Sequence, residues 1–461
     1  MSVQIERFYL GCLAHASYLV FDAGEAAVID PQRDVTIYIE RAAELGLKIH
    51  WIIETHLHAD FVSGHLELAQ ETGATICIGA GSGATFAHRD LRDSDEISLG
   101  AATLRAISTP GHTEESTCIV ALENGTPKAV FTGDTLFIGD VGRPDLSPTR
   151  TPEQLAAMLY NSLHTKVLTL PDETIVYPAH GAGSLCGRSM SDDASSTIAR
   201  ERRTNYALQP MTEDAFVHLL TGDLPPRPAY FQDEVARNRA GAAPLDDLAL
   251  VVELSPTQVV ELQSSGAVVL DTRPWAQFAA AHIPGSINIA LAGQFASWAA
   301  RMLGISSGQV VLVAEDNAAV TEARMRLARV GLEAVAGAIA GGIMGWIDAG
   351  QPVASVDQIP AAEISGWLET DPKHRTLLDI REDAERSLGA IPGSISIPLP
   401  ELQKHLDGLD RDAPIAVHCR GGYRSAIAAS VLQAAGFKDV INVTGGYDAW
   451  ALTNASSEVS A

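Results

Sequence analysis

Trp51-Ile52-Ile53-Glu54-Thr55-His56-Leu57-His58-Ala59-Asp60-Phe61 runs from a short apolar stretch into a turn crowded with imidazoles and carboxylates. Apolar runs of this length, bounded by polar turns, read as buried strands, and functional groups gather where such strands end. Three further clusters repeat the arrangement in order: Pro110-Gly111-His112-Thr113, Thr132-Gly133-Asp134 and Pro178-Ala179-His180. Imidazoles and carboxylates converging from strand ends can bind a divalent metal, and an open set of two His and one carboxylate suits non-haem Fe(II). An isolated His-x-His is more often a surface turn; four clusters in order make that reading the minor one. Strand-like runs such as Ala26-Ala27-Val28-Ile29-Asp30 alternate with helix-length segments, which predicts a layered α/β domain over residues 1–245.

The chain has 461 residues, a length that suggests roughly three domains, each able to bury its own core. Its 32 Lys and Arg against 57 Asp and Glu give a net charge of −25, which repels nucleic acid and anionic membrane surfaces. The opening Met-Ser-Val-Gln-Ile-Glu has no basic segment leading into an apolar one, and no run is long enough to span a bilayer, so a cytoplasmic protein is expected. Cys12, Cys77, Cys118, Cys186 and Cys419 are scattered, which suggests neither a disulfide framework nor a Cys-x-x-Cys metal site. Cys77 and Cys118 lie in apolar stretches and read as core. Residues 221–247, with Pro225-Pro226, Pro228, Gly241 and Pro244, are full of breakers and read as a linker or a wrapping arm.

Beyond that segment the sequence repeats itself. Val268-Val269-Leu270-Asp271-Thr272-Arg273 and Ile283-Pro284-Gly285-Ser286 return as Leu377-Leu378-Asp379-Ile380-Arg381 and Ile391-Pro392-Gly393-Ser394. Gly341-Gly342 with Trp346 returns as Gly445-Gly446 with Trp450. Two copies of this length are two homologous α/β domains, predicted at 246–355 and 356–461, and not a solenoid. In the second copy His418-Cys419-Arg420-Gly421-Gly422-Tyr423-Arg424-Ser425 passes from a buried strand into a helix. Backbone N–H groups, the helix N-terminus, Arg420 and Arg424 would stabilise a thiolate or a persulfide anion on Cys419, lowering its pKa. The alignment that pairs Gly331 with Gly436 sets Ala314 opposite Cys419, in a loop (Ala314-Glu315-Asp316-Asn317) with no thiol and no arginine. That first copy is predicted to be catalytically inert, a spacer or docking surface. His282 also precedes its Ile-Pro-Gly, where the second copy has Ala390.

The four metal-type clusters resemble the metallo-β-lactamase-fold hydrolases, and among them the persulfide dioxygenases, over nearly all of residues 1–245. The Cys419 loop with its Asp-x-Arg and Ile-Pro-Gly-Ser motifs resembles the rhodaneses over roughly 357–453; cysteine-dependent phosphatases carry a loop longer by one residue. The resemblance implies an αββα sandwich followed by two rhodanese-like α/β domains, one inert and one active. In the hydrolases the first motif is His-x-His-x-Asp-His and supports two metals, whereas Phe61 here cannot ligate, which argues for a single ion. The dioxygenases hold mononuclear iron on residues matching His56, His112 and Asp134. This leaves His58 and Asp60 behind the ligands and His180 as a substrate-binding or proton-handling residue. Zinc is the alternative ion, because the same ligands hold it more tightly.

Gly142-Arg143-Pro144-Asp145 resembles the dioxygenases' Gly-Arg-Thr-Asp turn, which implies a pairing of Arg143 with a substrate carboxylate; a structural salt bridge is the competing reading. The turn Gly181 to Gly187 departs from that of the glutathione-persulfide enzymes and resembles fusions that place a cysteine near the iron, which makes Cys186 a candidate sulfur acceptor. The implied activity oxidises a low-molecular-weight thiol persulfide with O2 to sulfite, and Cys419 then transfers sulfane sulfur, giving thiosulfate in sulfide detoxification. A zinc-dependent thioesterase of glyoxalase II type fused to a rhodanese is the alternative. The relatives imply a homodimer or homotetramer.

Overall fold

The structure is a computed structural model that describes residues 3–222, 224–304 and 308–458. Met1, Ser2, Asp223 of the proline-rich segment and residues 459–461 of the last predicted domain lie outside the described residues. Two compact units emerge, Met1–Leu248 with Leu327–Leu332, and Ala249–Arg326 with Glu333–Ala461.

The first unit is built on two six-stranded sheets. One runs in chain order through Gln4–Leu10, His15–Asp22, Glu25–Ile29, Lys48–Glu54, Thr75–Gly79 and Arg89–Leu91. The other runs from Ser196–Thr197 through Ile175–Pro178, Thr126–Gly133, Thr117–Glu123 and Ala102–Ser108 to Glu96–Leu99. Because successive side chains alternate faces, Tyr18, Ile29 and Ile53 of the first sheet meet Leu104, Ile119 and Phe131 of the second in one core. The opposite faces carry their own apolar sets. Leu19, Val28 and Ile52 pack under Tyr38 and Leu68 of helices Thr36–Glu44 and His65–Thr72. Val120, Val130 and Val176 pack under Leu159 and Phe216 of helices Pro152–Thr165 and Glu213–Thr221. Each such fully buried side chain contributes about 1.5–3 kcal/mol of transfer free energy, and the layers are those of the expected αββα sandwich. The proline-rich segment holds more structure than a linker: Phe231–Ala240 is a helix with Phe231 and Asn238 buried.

The second unit contains two five-stranded parallel sheets with matching strand orders. The first comprises Glu253–Leu254, Val335–Ile339, Val310–Val313, Val268–Asp271 and Ile287–Asn288; the second comprises Asp357–Pro360, Val440–Thr444, Ile415–His418, Thr376–Asp379 and Ile395–Ser396. Thr272 N–H donates to the Val313 carbonyl at 2.8 Å and Ile380 N–H to the His418 carbonyl at 3.1 Å, which registers Ala314 against Cys419 independently of the glycine alignment. No helix among the described residues is long and apolar enough to cross a membrane.

Candidate metal centre and sulfur loop

The clusters read from sequence converge at the ends of the two sheets of the first unit. Ligand atoms of His56, His112 and Asp134 lie within 4.8 Å of one another, and all three residues are buried. Hydrogen bonding fixes the tautomers. A carbonyl oxygen only accepts, so His112 Nδ1–H donates to the Arg143 carbonyl at 2.9 Å and Nε2 keeps its lone pair. Thr55 donates its hydroxyl hydrogen to Asp30 Oδ2 at 2.9 Å, so it accepts from His56 Nδ1–H at 3.0 Å. Both freed Nε2 atoms turn toward Asp134 Oδ2, at 3.8 Å from His56 and 3.3 Å from His112. Burial first, then the neighbouring imidazoles, pushes His56 well below its ordinary pKa; burial also lowers His112 against the pull of Asp134. Neutral imidazole is the ligating form. Neither oxygen of Asp134 has a hydrogen-bond partner, and a buried carboxylate without one costs several kcal/mol unless a cation offsets it. The donor set therefore fits a divalent metal.

His58 is occupied differently. Its Nε2 faces Asp30 Oδ1 at 3.1 Å and Glu54 Oε2 at 3.4 Å, and Glu54 also meets His65 at 3.5 Å. Burial opposes the charged imidazole, but the two carboxylates outweigh it and hold His58 well above its ordinary pKa. Asp60 and His180 stand on the other side: His180 Nε2 lies 3.6 Å from Asp60 Oδ2 and 3.6 Å from Asp134 Oδ1. Phe61 is 1% exposed and fills the space between His15 and His58, with ring centroids 4.0 and 4.4 Å away.

Cys186 is buried and falls into this cluster, its sulfur within 4.8 Å of ligand atoms of Asp134 and His180. Burial, then Asp60 and Asp134, raises its thiol pKa well above the ordinary value. Arg143 is buried too. Its guanidinium is forked onto Asp145 at 2.6 and 2.8 Å and donates to the carbonyls of Leu185 at 3.2 Å and Pro225 at 2.7 Å. All three of its nitrogens thus have protein partners.

In the second unit Cys419 sits where strand Ile415–His418 gives way to helix Tyr423–Ala434. Gly422 N–H donates to Cys419 Sγ at 3.0 Å, and Ser425 Oγ lies 3.7 Å from the sulfur. Gly446, at φ +57°, lets the backbone close behind the loop; a Cβ there would stand 2.5 Å from the carbonyl oxygens of Cys419 and Arg420. Arg424 is largely buried and bound through both terminal nitrogens to Glu385 at 2.6 and 2.7 Å. Arg420, 70% exposed, pairs with Asp448 at 3.1 Å instead of turning to the sulfur.

Three groups of this architecture escape motif reading. Asp30 and Glu54 hold His58; Asp30 adopts φ +50°, a rare conformation for a residue other than glycine. Asn238, from the proline-rich arm, donates to the carbonyls of His58 and Phe61 at 2.8 and 2.7 Å and accepts from Ser63 N–H at 2.9 Å. Glu385 secures Arg424. Asp30 and Glu54 had a sequence signal, an acid closing an apolar run; Asn238 and Glu385 had none.

A profile of the Metallo-beta-lactamase superfamily matches residues 10–180, and one of the Rhodanese-like domain matches 255–349 and 361–453. Among curated proteins, a probable metallo-hydrolase of Burkholderia pseudomallei is 34% identical over 258 residues, 47% of this chain and 85% of the relative. The mitochondrial persulfide dioxygenase ETHE1 of Bos taurus is 33% identical over 230 residues, 48% of this chain and 82% of the relative. Among solved structures, a metallo-beta-lactamase from Staphylococcus aureus subsp. aureus COL is 30% identical with a TM-score of 0.66, covering 73% of this chain and 98% of that one. The chain belongs to the metallo-beta-lactamase superfamily, as a fusion of that fold, related to the persulfide dioxygenases, with two rhodanese-like domains.

Proposed function

We propose that the chain is a mononuclear non-haem Fe(II) persulfide dioxygenase coupled to a rhodanese that works through Cys419. The observation that carries this reading is the pair of imidazole Nε2 atoms, of His56 and of an unpartnered His112, facing an unpartnered Asp134 carboxylate beside a buried Phe61. His56, His112 and Asp134 would hold the ion, and Fe(II) there would supply the redox chemistry that joins a persulfide sulfur to O2. His58, committed to Asp30 and Glu54, orients the loop from behind. His180, between Asp60 and Asp134, would meet the substrate as it enters. Cys186 would accept sulfane sulfur; burial, Asp60 and Asp134 oppose its thiolate, and a cation on Asp134 would offset the last of these. Arg143 could meet a substrate carboxylate only by releasing Asp145, so we assign it the turn that carries the His112 partner carbonyl.

The product of the first unit would be sulfite and the free thiol. Cys419, charged as a persulfide steadied by Gly422 N–H and Arg424, would pass its outer sulfur to sulfite, giving thiosulfate and the regenerated thiol. Arg420 would act as a surface charge at the approach to the loop. Phe61 weighs against the zinc thioesterase alternative, because it removes an imidazole from a second metal position.

Anaerobic purification with iron, followed by O2 uptake, sulfite and thiosulfate assays on a low-molecular-weight persulfide, tests the reading. The expected result is O2 consumption with thiosulfate from the wild type and accumulating sulfite from Cys419→Ser. Absence of O2 uptake by iron-loaded protein, or undiminished sulfite output from His112→Ala or Asp134→Ala, would overturn it.

A further inference from the structure

Segment 140–143 of the first unit touches the metal pocket on one side and the Cys186 turn on the other. Toward the pocket, the Arg143 carbonyl accepts from His112 Nδ1–H at 2.9 Å, and a Cβ at Gly142 would run into the Asp134 carbonyl. Toward the turn, Arg143 N–H donates to the Cys186 carbonyl at 3.0 Å, and its guanidinium donates to the Leu185 carbonyl at 3.2 Å. Asp140 completes the contact. Its carboxylate is fully buried, and Oδ2 accepts from the N–H groups of Arg188 and Ser189, both at 2.6 Å. Oδ1 accepts from Val141 N–H and from the Tyr206 hydroxyl, both at 2.8 Å. An ionised carboxylate offers about four acceptor positions, and four donors fill them here. Hydrogen bonds to a charged acceptor are roughly twice as strong as neutral ones. The two N–H groups that follow Cys186-Gly187 are therefore fixed to the same segment that carries the His112 partner carbonyl.

We infer that Asp140 is the positioning residue of Cys186, holding the thiol against Asp134 and His180 by tying its turn to the segment behind the metal pocket. The inference rests on the reading of Cys186 as the thiol that accepts sulfane sulfur. Cys186 is 1% exposed, and its sulfur lies within 4.8 Å of ligand atoms of Asp134 and His180. Residues 181–191 form neither helix nor strand, so the place of the sulfur depends on individual bonds, and a loop side chain is held only as precisely as its loop. Cys186 N–H has a local acceptor, Ser184 Oγ at 3.1 Å, but the bonds that tie the turn to the pocket come from Arg143 and Asp140. Gly187 shows how near the carboxylate stands, since a Cβ there would lie 3.0 Å from Asp140 Oδ2. Without that carboxylate the N–H groups of Arg188 and Ser189 lose their acceptor, and the turn opens toward water. The thiol then leaves the pocket while the contact of His112 with Arg143 stays in place.

The test treats the full chain, free of metal, with iodoacetamide and follows the labelling of each cysteine peptide by mass spectrometry. Cys118, buried in the core of the same unit, reports any general loosening. Asp140→Ala should raise the labelling rate of Cys186 by about tenfold or more and leave that of Cys118 unchanged, as expected of a local opening. Asp140→Asn can turn its oxygen to the two N–H groups and its amide to the Tyr206 oxygen, so it should return to within about threefold of the wild type. Gly187→Ala keeps the carboxylate and crowds it, and should raise Cys186 labelling several-fold; it decides if Asp140→Ala fails to fold. The iron-loaded Asp140→Ala chain should keep its iron and lose about tenfold or more in kcat for persulfide oxidation. Labelling of Cys186 that changes by less than about twofold in the deciding variant, or that rises in step with Cys118, overturns the inference. Cys186→Ser separates the two readings. If it leaves persulfide oxidation unchanged, the acceptor role fails and the inference with it; if it slows oxidation while labelling is unmoved in Asp140→Ala, only the role of Asp140 fails.

Discussion

The two rhodanese-like copies share a scaffold and differ in what the scaffold is asked to hold. In both, the aspartate closing a strand is forked onto the arginine two residues later: Asp271 with Arg273 at 2.5 Å and Asp379 with Arg381 at 2.8 Å. Each arginine then donates to an equivalent carbonyl, Ala281 at 2.9 Å and Gly389 at 2.8 Å. That motif is structural, because it survives where the nucleophile is gone. The next helix shows the divergence. Glu385 reaches the loop of the Cys419 copy and binds Arg424, whereas Gln277 of the other copy donates to Glu315 at 2.6 Å, so a neutral amide replaces the carboxylate and the loop contact carries an anion in place of a cation. Where Arg386 bonds Asp379 at 3.0 Å in the second copy, the first stacks Phe278 on His282, with centroids 3.9 Å apart. The copy without the cysteine thus keeps its core and its ion pair and lacks the thiol and the arginine contact of the other.

The strongest challenge to this contrast is to move the thiol. Cys419→Ser should reduce sulfur transfer by at least about a thousandfold, and adding Ala314→Cys to it should not recover activity, because no arginine or glycine turn surrounds Ala314. Recovery of even about one per cent of the wild-type rate of sulfur transfer to cyanide would show that the loops are interchangeable. Next in size, Arg424→Lys should lower kcat/KM for sulfur transfer roughly 10–100-fold, since a lysine cannot keep the two-pronged contact with Glu385 while facing the sulfur. A loss below about threefold would make the arginine dispensable.

The close backbone approach can be compared in both copies. Gly446→Ala should cost about 1–3 kcal/mol, for its Cβ would stand 2.5 Å from two carbonyl oxygens; Gly342→Ala should cost less, with the Ala314 oxygen at 3.0 Å. Thermal midpoints of the two variants check the order. The smallest effect is expected at Glu385. Burial raises its pKa, but hydrogen bonds from Arg424 outweigh this and hold the carboxyl below its usual range. A depressed carboxyl pKa stabilises the fold above the unfolded-state value of about 4.3, and the gain disappears as pH falls through the folded-state value. Glu385→Gln should therefore lower the denaturation midpoint slightly at pH 7 and leave it unchanged well below about pH 4; a difference that persists in acid would assign the loss to packing.

Much of the site was legible because its residues come in short motifs at strand ends. His56, His112 and Asp134 meet as the resemblance implied, and Phe61, where the resembling hydrolases carry a histidine, packs against His58. What motif reading missed lies far away in sequence. Asn238 reaches the His58 and Phe61 carbonyls across about 180 residues from an arm whose prolines gave no hint of the helix it contains. Arg420 looked like a partner of the sulfur because it is adjacent in the chain, but neighbouring side chains on a loop diverge, and its charge goes to Asp448.

The sequence by itself determined the fold families, the count of similar copies, and the place of the Cys419 loop with no cysteine at the matching position of the first copy, because each is written in local patterns of apolar periodicity and turn residues. Tertiary structure alone decided which nitrogen of each histidine is free, which carboxylates neutralise His58, and that the Asp140 carboxylate binds the backbone of the Cys186 turn. These depend on hydrogen-bond direction and on packing between segments distant in the chain, neither of which leaves a mark in residue spacing.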